Sequence, residues 1–453
     1  MFMAPPNTIT VLELCRVAPP PDSVSQTSLP LTFFDLAFLR FPLVQIIYFY
    51  EYPHSKTHFL DSVLPKLKHS LSLTLQHFYP LAGNLIWPPE SEKPIILYVN
   101  GDSVSLTIAE SNSDFYHLSG NHARNCNESH SLLPHLPSSE TLAPLLALQF
   151  TVFPNYGFCI GITIHHVIVD GHSSTMFSKS WASICRSGDS SLSPELLPFY
   201  DRTVIKDPEG LEKFFLNKFV KPTESESETE FNIVDHRAPS NTVKTTFELS
   251  RGDIERLKKW VLTRREKDKQ TPPLHLSTLV LTCAYVWVCL IKADVKKKRI
   301  QLVVPVDCRA RLDPPIPLTY FGNCVLGHRV HTEPCDIMGE DGLVIAVEEL
   351  NKVIRGLESG IHMGTKKKIP SPSEEMEAPI GIAWSNRFRV YETDFGWGRP
   401  TKAELISIEK TGAMSLVESR DGAGGVEIGF ALNKQEMEVF ASIFTNGLKA
   451  SKL

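Results

Sequence analysis

Between residues 158 and 171 the chain passes from an alternating apolar run into a short polar motif. Apolar side chains occupy every second position of the run, at Phe158, Ile160, Ile162 and Ile164. This period of two predicts a β-strand with one face in a core. The motif that follows begins with His165-His166 and ends with Asp170-Gly171. A chain with this run is therefore expected to build a sheet that presents polar groups at the end of one strand.

The polar motif predicts one usable base. On a continuing strand His165 and His166 point to opposite faces, and His166 and Asp170 lie roughly 13 Å apart at about 3.3 Å per residue. Asp170-Gly171 is turn chemistry, so a bend after Val169 brings the carboxylate beneath the imidazole or aims it at a basic partner. Histidine is a ready general base near neutral pH, although most histidines are satisfied core or surface residues.

A metal centre and a serine nucleophile are both disfavoured. Adjacent histidines diverge on a strand, and none of the nine cysteines forms a Cys-x-x-Cys pair. The residues from Gly171 to Thr175 do not supply the Gly-x-Ser-x-Gly elbow of serine hydrolases. The glycines of 421–425 lie between two predicted strands, which indicates a hairpin and not a phosphate loop.

Length and composition predict two lobes. The chain has 453 residues, more than one hydrophobic core usually holds. Residues 223–230 alternate Thr or Ser with Glu and have no apolar face, which is typical of a linker. We therefore predict an N-terminal lobe over 1–215, a crossover linker over 216–242 and a C-terminal lobe over 243–453.

Local periodicity predicts several elements within these lobes. Apolar residues recur every three or four positions from Leu60 to Phe78, which indicates an amphipathic helix, and 277–291 reads as a helix buried nearly all round. Met414–Ser419 and Val426–Phe430 read as a hairpin, and Leu29–Phe34 as a short strand.

Charge and targeting signals limit the partners and the location. The net charge is −5 and no long basic stripe is present, so nucleic acid is not an expected partner. No apolar run approaches the roughly 20 residues of a membrane span, and Met1–Pro20 lacks the layout of a signal peptide. Scattered cysteines fit free thiols in a reducing compartment, so we expect a cytoplasmic protein. Ser451-Lys452-Leu453 matches a peroxisomal address, which keeps the peroxisome as an alternative.

Two motifs far apart in the chain together carry a family resemblance. His166–Gly171 and the Asp394-Phe395-Gly396-Trp397-Gly398 segment resemble the signature pair of the plant BAHD acyl-CoA-dependent acyltransferases. Further matches run nearly end to end, at Leu29–Asp35, Tyr79–Asn84 and Tyr320–Cys324. The last of these is similar to the branch that acylates anthocyanins and other flavonoid glycosides, often with malonyl-CoA.

The resemblance implies a fold and a reaction. The fold is α/β, with two lobes of the chloramphenicol-acetyltransferase type, mixed sheets with flanking helices, and a crossover loop between the lobes. The reaction is direct transfer of an acyl group from acyl-CoA to a hydroxyl of a phenolic glycoside, with His166 as general base. Malonyl is the expected acyl group. Acyl-CoA is then a co-substrate, no metal or further cofactor is implied, and a monomer is expected.

The resemblance also implies roles for individual residues. Asp170 turns away from the reaction and pairs with Arg309, either to lock the loop or to assist the chemistry. Asp394–Gly398 forms a scaffold turn, and Ser385 is the candidate donor to the oxyanion. Relatives usually have a small residue at the position of Trp384, so the chain departs from its branch there.

Contacts with the substrates are implied more loosely. Coenzyme A would meet Lys258 and the start of the apolar helix at Ser277 and Thr278. A malonyl carboxylate needs a cation, for which either Lys179 or Arg186 could serve. The acceptor would contact Asp35.

Three other readings compete with this one. A hydroxycinnamoyl-CoA is the main alternative donor. Peptide-condensation domains also carry a His-His-x-x-x-Asp-Gly motif, although Asp394–Gly398 argues against them. A non-catalytic binding relative would retain ligand affinity without turnover.

Overall fold

Short apolar runs interrupted by proline, glycine and polar residues divide the chain into many strands and helices. The computed structural model describes residues 9–88, 90–137, 139, 142–217, 239, 241–265, 273–293, 301–358 and 379–450. The strands in these ranges are β1 (Ile9–Val17), β2 (Thr27–Pro30), β3 (Val44–Glu51), β4 (Asn84–Ile86), β5 (Ile95–Tyr98), β6 (Val104–Ser111), β7 (Arg124–Asn125), β8 (Leu142–Pro144), β9 (Leu146–Phe153), β10 (Gly157–Ile164), β11 (Thr242–Leu249), β12 (Gln301–Asp307), β13 (Val325–His331), β14 (Ile380–Ala383), β15 (Lys402–Leu405), β16 (Met414–Glu418) and β17 (Val426–Asn433).

Helices cover the sheets. They are α1 (Phe33–Leu36), α2 (Lys56–His58), α3 (Leu64–His77), α4 (Phe115–Leu118), α5 (Gly171–Ser187), α6 (Leu211–Phe215), α7 (Arg251–Arg265), α8 (Thr278–Ala293), α9 (Pro334–Met338), α10 (Gly342–Glu358), α11 (Ile408–Thr411) and α12 (Lys434–Ala450). One π-helical turn, Phe59–Val63, joins α2 to α3, so the predicted amphipathic helix is confirmed. The predicted apolar helix corresponds to α8, most of whose residues are buried.

The strands form three sheets. A six-stranded sheet has the order β1-β6-β9-β10-β3-β15, and a seven-stranded sheet the order β13-β12-β14-β16-β17-β11-β7. A smaller sheet has the order β2-β5-β4-β8. Most neighbours are antiparallel, but β6 and β9 are parallel, as are β14 and its two neighbours. The predicted mixed α/β fold is confirmed, and so is the hairpin of β16 and β17.

Each large sheet borrows an edge strand from the other half of the sequence. β15 follows the predicted linker in the chain, yet it pairs with β3 in the six-stranded sheet. β7 precedes the linker, yet it pairs with β11 in the seven-stranded sheet. Most of the predicted linker lies outside the described residues, so its path and the lobe boundaries stay predictions.

Two large apolar clusters fill the space between sheets and helices. One lies around the six-stranded sheet and includes β10 together with Trp181 of α5. The other lies around the seven-stranded sheet and includes α8 with Phe440 and Phe444 of α12. No helix of the described residues is long and apolar enough to cross a membrane.

Two local predictions differ from the structure. β10 was expected to bury one face, but all eight of its residues are buried because it lies between β9 and β3 and is covered on both sides. Residues 29–34 were expected to form one strand. Instead β2 ends at Pro30, and Thr32 begins α1 through a capping box with Asp35, because a Thr and an acidic residue three positions later satisfy the free N–H groups of a helix start.

Candidate active site

The polar motif forms a turn between β10 and α5. The strand ends at Ile164, and the Ile168 N–H donates to the carbonyl of His165, so the chain already turns before Val169. α5 begins at Gly171. Residues 165–170, the histidine loop, thus join the middle of the six-stranded sheet to the N-terminus of a long helix. Both ends of the loop are held by regular structure.

His166 occupies the outer side of this loop against two aromatic rings. Its imidazole is stacked on Phe38, with ring centroids 4.3 Å apart and planes 4° from parallel. Phe41 meets the same imidazole edge-on at 5.4 Å. Burial lowers the pKa of His166 below its ordinary value, and the negative charge of Asp170 offsets only part of this effect. The ring is therefore neutral near pH 7, as a general base must be.

His165 lies inside the protein and has a different environment. It is 1% exposed, and its Nδ1 accepts from the backbone N–H of Val167. Burial, with a smaller effect of His166, lowers the pKa of His165 to about 3. A histidine that stays neutral and enclosed across the usual pH range supports the loop but cannot exchange protons with a ligand.

Asp170 is the N-cap of α5, and its carboxylate is buried. Its Oδ1 accepts from the Ser173 N–H at 2.8 Å, which is the N-cap bond of the helix. Its Oδ2 accepts from the Cys324 N–H at 3.1 Å and lies 2.9 Å from Nη2 of Arg309. Burial alone raises the pKa of Asp170, but the charge of Arg309 and the N–H donors outweigh it, and the pKa is lowered. Asp170 is therefore ionised.

Arg309 is fully buried and uses its guanidinium to join three segments. It donates to the carbonyls of Tyr320 and Gly322, at 3.0 and 3.1 Å, and to Oγ of Ser173 at 3.2 Å. Asp307 accepts from Nη1 at 3.1 Å. Sequence reasoning proposed the Asp170–Arg309 pair by analogy, and the structure brings the two side chains together.

Asn323 holds the backbone of the histidine loop. Its amide Nδ2 donates to the carbonyls of His166 and Val167, at 2.9 and 3.0 Å. The same amide and the Asn323 backbone N–H donate to Oδ1 of Asp35 at 3.2 and 3.1 Å. Asp35 is fully buried, and Arg202 lies 3.7 Å from its Oδ2. This placement does not favour the predicted contact of Asp35 with an acceptor.

The segment after β14 packs against the start of α5. A side chain at Gly171 would collide with Phe388 and touch Trp384, so glycine is needed there for close approach. Trp384 is buried in the left-handed conformation at φ +60°, which is costly for a bulky residue. Ser385 is half-buried in the following turn, and its Oγ accepts from the Arg387 N–H at 3.3 Å. The candidate oxyanion donor therefore lies on a segment that contacts the histidine motif.

Asp394–Gly398 forms a self-contained turn. Oδ1 of Asp394 accepts from the N–H groups of Gly396 and Gly398 at 2.8 and 3.0 Å, and both glycines have φ near +100°. Phe395 is buried and meets Trp181 of α5 edge-on at 4.8 Å. The turn leads into β15 and packs on the far end of the helix that begins at the active-site loop.

The remaining predicted contacts are spread over the surface. Lys258 is half-exposed on α7, and Ser277 and Thr278 lie at the start of α8, which packs against α7. Lys179 on α5 is paired with Glu392 at 3.2 Å. Arg186 is exposed at the end of α5 beside the Asp394–Gly398 turn. Within the described ranges, no group of three or more histidine, cysteine or acidic side chains could hold a metal ion.

Sequence reasoning missed three contributors to the site. Asn323 belongs to a recognised motif, but nothing in the motif indicated that it binds the histidine loop. Phe38 and Phe41 follow Asp35 without any pattern that points to His166. Only spatial proximity between segments distant in the chain identifies them.

Comparison with known proteins places this site in a family. A family model described as the Transferase family matches residues 8–446. Phenolic glucoside malonyltransferase 2 of Arabidopsis thaliana is 39% identical, covering 97% of this chain and 99% of its own length. Malonyl-CoA:anthocyanidin 5-O-glucoside-6''-O-malonyltransferase of the same organism is also 39% identical, covering 98% and 99%.

The fold has solved counterparts as well. The crystal structure of vinorine synthase is similar with a TM-score of 0.66 at 21% identity, covering 95% of this chain and 96% of that one. The identity is low, so this likeness concerns the fold alone. The full-length relatives and the family match show that the chain belongs to the BAHD family of acyl-CoA-dependent acyltransferases.

Proposed function

We propose that this protein transfers a malonyl group from malonyl-CoA to a sugar hydroxyl of a phenolic or flavonoid glycoside. The observation that carries the proposal is the neutral, half-buried imidazole of His166. It lies on a loop whose backbone accepts from Asn323 and whose Asp170 carboxylate accepts from the Cys324 N–H. The two relatives reported above carry names of malonyltransferases that act on glucosides, which supports both the donor and the acceptor class.

The chemistry requires one proton to move twice. A sugar hydroxyl is too weak an acid to ionise near pH 7, so His166 takes its proton as the oxygen attacks the thioester carbonyl. The new C–O bond forms a tetrahedral oxyanion, for which Ser385 is our candidate donor. The C–S bond then breaks, and the imidazolium returns its proton to the coenzyme A thiolate. No acyl-enzyme is required when both substrates are bound together.

The charged residues around the loop have a supporting role in this proposal. Asp170 and Arg309 set the direction of the loop and the start of α5 without contacting substrate. Asp35 is assigned the same supporting role, because its fully buried carboxylate accepts from Thr32 and Asn323. Asp394–Gly398 keeps the far end of α5 in place.

Binding of the co-substrates is assigned to other faces. Acyl-CoA would contact Lys258, Ser277 and Thr278. Lys179 or Arg186 would meet the malonyl carboxylate, and Lys179 would have to exchange Glu392 for the substrate. No metal or additional cofactor takes part in the proposed reaction, and we propose that one chain is sufficient for activity.

A competition assay tests the proposal. It offers the protein malonyl-CoA and coumaroyl-CoA together, with a panel of flavonoid and simple phenolic glucosides as acceptors. Mass spectrometry should detect a malonylated product in excess over the coumaroylated one. Preference for coumaroyl-CoA would overturn the donor assignment and leave the reaction class intact. His166→Ala should lose about three orders of magnitude in kcat because general-base catalysis is removed, whereas retained turnover would exclude His166 as the base.

Location is tested separately from activity. We propose a cytoplasmic protein. The peroxisome is the alternative, because residues 451–453, which lie outside the described ranges, match a peroxisomal address. A fluorescent protein fused ahead of the intact or deleted Ser451–Leu453 decides between the two. Punctate signal that depends on these residues would assign the peroxisome.

A further inference from the structure

The ring of Phe38 lies flat against the proposed base. The two rings are 4.3 Å apart at an angle of 4°, and Phe41 meets the edge of both His166 and Phe38 at 5.4 Å. Phe38 is half-buried, and Phe41 is 42% exposed. One face of the imidazole is thus covered by a π-system while the base remains next to solvent.

No carboxylate among the described residues forms a hydrogen bond or ion pair with the imidazole of His166. Both oxygens of Asp170 are occupied by Ser173, Cys324 and Arg309. Nδ1 of His166 is buried and makes no hydrogen bond of acceptable geometry with the described residues. The usual arrangement, in which a hydrogen-bonded carboxylate orients the imidazole, is therefore absent from the part of the chain that the structure describes, and Asp170 acts on His166 through its charge alone.

We propose that Phe38 is a positioning residue for His166, which fixes the plane of the imidazole and stabilises the imidazolium formed during acyl transfer through its π face. The negative face of an aromatic ring attracts a cation stacked on it, and the attraction is stronger where water is excluded. The flat contact also restricts rotation of the imidazole, so the nitrogen that takes the proton keeps one direction. This inference rests on the proposed function, since it assumes that His166 is the base.

The stack is built into the same network that holds the histidine loop. The Phe38 N–H donates to the backbone carbonyl of Asp35 at 3.0 Å. The Asp35 carboxylate accepts from Asn323, whose amide also donates to the carbonyl of His166. One asparagine therefore connects the segments that carry the two rings, and this connection sets their spacing.

The first test compares Phe38→Leu with Phe38→Tyr. Leucine retains an apolar cover but has no π face, whereas tyrosine keeps the ring. For Phe38→Leu we expect kcat to fall about tenfold with KM changed less than about twofold, because the contact acts on the transition state. Phe38→Tyr should restore kcat. Phe115→Leu, in a separate aromatic group with Phe49 and Phe153, should lower thermal stability without changing kcat.

The second test measures the pKa of His166 without turnover. Diethyl pyrocarbonate modifies neutral imidazole. The rate at which His166 is modified, followed by peptide mass spectrometry across pH, therefore reports its pKa. This measurement does not require a substrate that the enzyme turns over. Loss of the π face should lower the pKa in Phe38→Leu by about half a unit, and tyrosine should restore it.

The direction of the shift separates the proposal from a purely structural role. A loosened loop would admit water and raise the pKa, because burial is what lowers it in the native protein. An unchanged or raised pKa in Phe38→Leu would overturn the proposal, as would a kcat within about twofold of the native enzyme. Absence of transfer by the native protein would instead count against the proposed function.

Discussion

Two buried networks of charge connect distant parts of this chain, and they do different work. The loop anchor consists of Asp35, Asp170, Ser173, Arg202, Arg309 and Asn323. The interface cluster consists of Arg124, Lys244, Lys402, Glu404, Glu409 and Glu427. All of these residues are less than a tenth exposed, so in both networks a lost partner would leave a charge or a polar group without water to compensate it.

The interface cluster links strands of the two large sheets through their side chains. Glu404 of β15 pairs with Arg124 of β7 and lies 3.3 Å from Lys244 of β11. Lys402 of β15 lies 3.0 Å from Glu427 of β17. The borrowed strand β15 therefore belongs to the six-stranded sheet by its backbone and meets the seven-stranded sheet by its charges.

The loop anchor differs because it ends on backbone groups. Asp170 accepts from two N–H groups, and Asn323 donates to the carbonyls of His166 and Val167. A bond to the backbone sets the path of the chain, whereas a bond between side chains sets the spacing of the elements that carry them. We therefore expect the loop anchor to control turnover and the interface cluster to control stability.

Arg309→Met should have the largest effect, on both stability and turnover. It leaves Asp170 ionised and unpaired in the interior, which should cost about 3–5 kcal/mol of unfolding free energy. We expect kcat of the folded fraction to fall about a hundredfold as the loop shifts. Urea unfolding and steady-state kinetics measure the two effects. Arg311→Met is the matched control, because that side chain is exposed and donates only to the Asp307 carbonyl in the described contacts. Full retention of kcat in Arg309→Met would contradict the expectation that the loop anchor controls turnover.

Glu404→Gln should lower stability while leaving turnover intact. It removes the charge that faces Arg124 and Lys244, at an expected cost of about 3 kcal/mol. The kcat of folded protein should stay within about twofold of the native value, since the described contacts of the Glu404 side chain, to Arg124 and Lys244, do not reach the histidine loop. Glu13→Gln, in the exposed pair with Lys68, should cost less than about 1 kcal/mol. A large loss of kcat in Glu404→Gln would show that the two networks are not separate.

Asn323→Ala should reduce kcat as well as the unfolding free energy, because the lost hydrogen bonds hold the backbone of the histidine loop. It frees the carbonyls of His166 and Val167, with an expected cost of about 1–3 kcal/mol in unfolding free energy and about a tenfold loss of kcat. Asn351→Ala is the control, because this asparagine is equally buried and donates to the Val347 carbonyl on α10, away from the site. An equal loss of kcat in both variants would show that Asn323 has no specific role in turnover beyond that of a buried asparagine.

The smallest of the expected effects is a pH dependence of the unfolding free energy that Glu404 of the interface cluster contributes. Burial alone raises the pKa of Glu404, but Lys244, Arg124 and Lys402 outweigh it and lower the pKa from 4.5 to about 2. Stabilisation by this carboxylate is therefore complete above pH 4.5 and is lost as the pH falls towards 2. The gap in unfolding free energy between native protein and Glu404→Gln should narrow over that window. A constant gap would mean that the charge of Glu404 is not what stabilises the cluster.

The sequence by itself determined the elements whose signal is local. The alternation before His165, the amphipathic run of α3, the apolar run of α8 and the hairpin of β16 and β17 each follow from periods of two or 3.6 residues within one segment. The pair of motifs at His166 and Asp394 determined the family. These inferences need no knowledge of which segments meet.

Only the tertiary structure decided the contacts between segments. The exchange of β7 and β15, the grip of Asn323 on the histidine loop and the stack of Phe38 on His166 each join residues far apart in the chain. Strand pairing and side-chain contact depend on register and packing over the whole fold, and an edge strand has the same local pattern whichever sheet it joins. The proposed base could therefore be predicted from the chain, but the contacts that hold it depend on long-range packing.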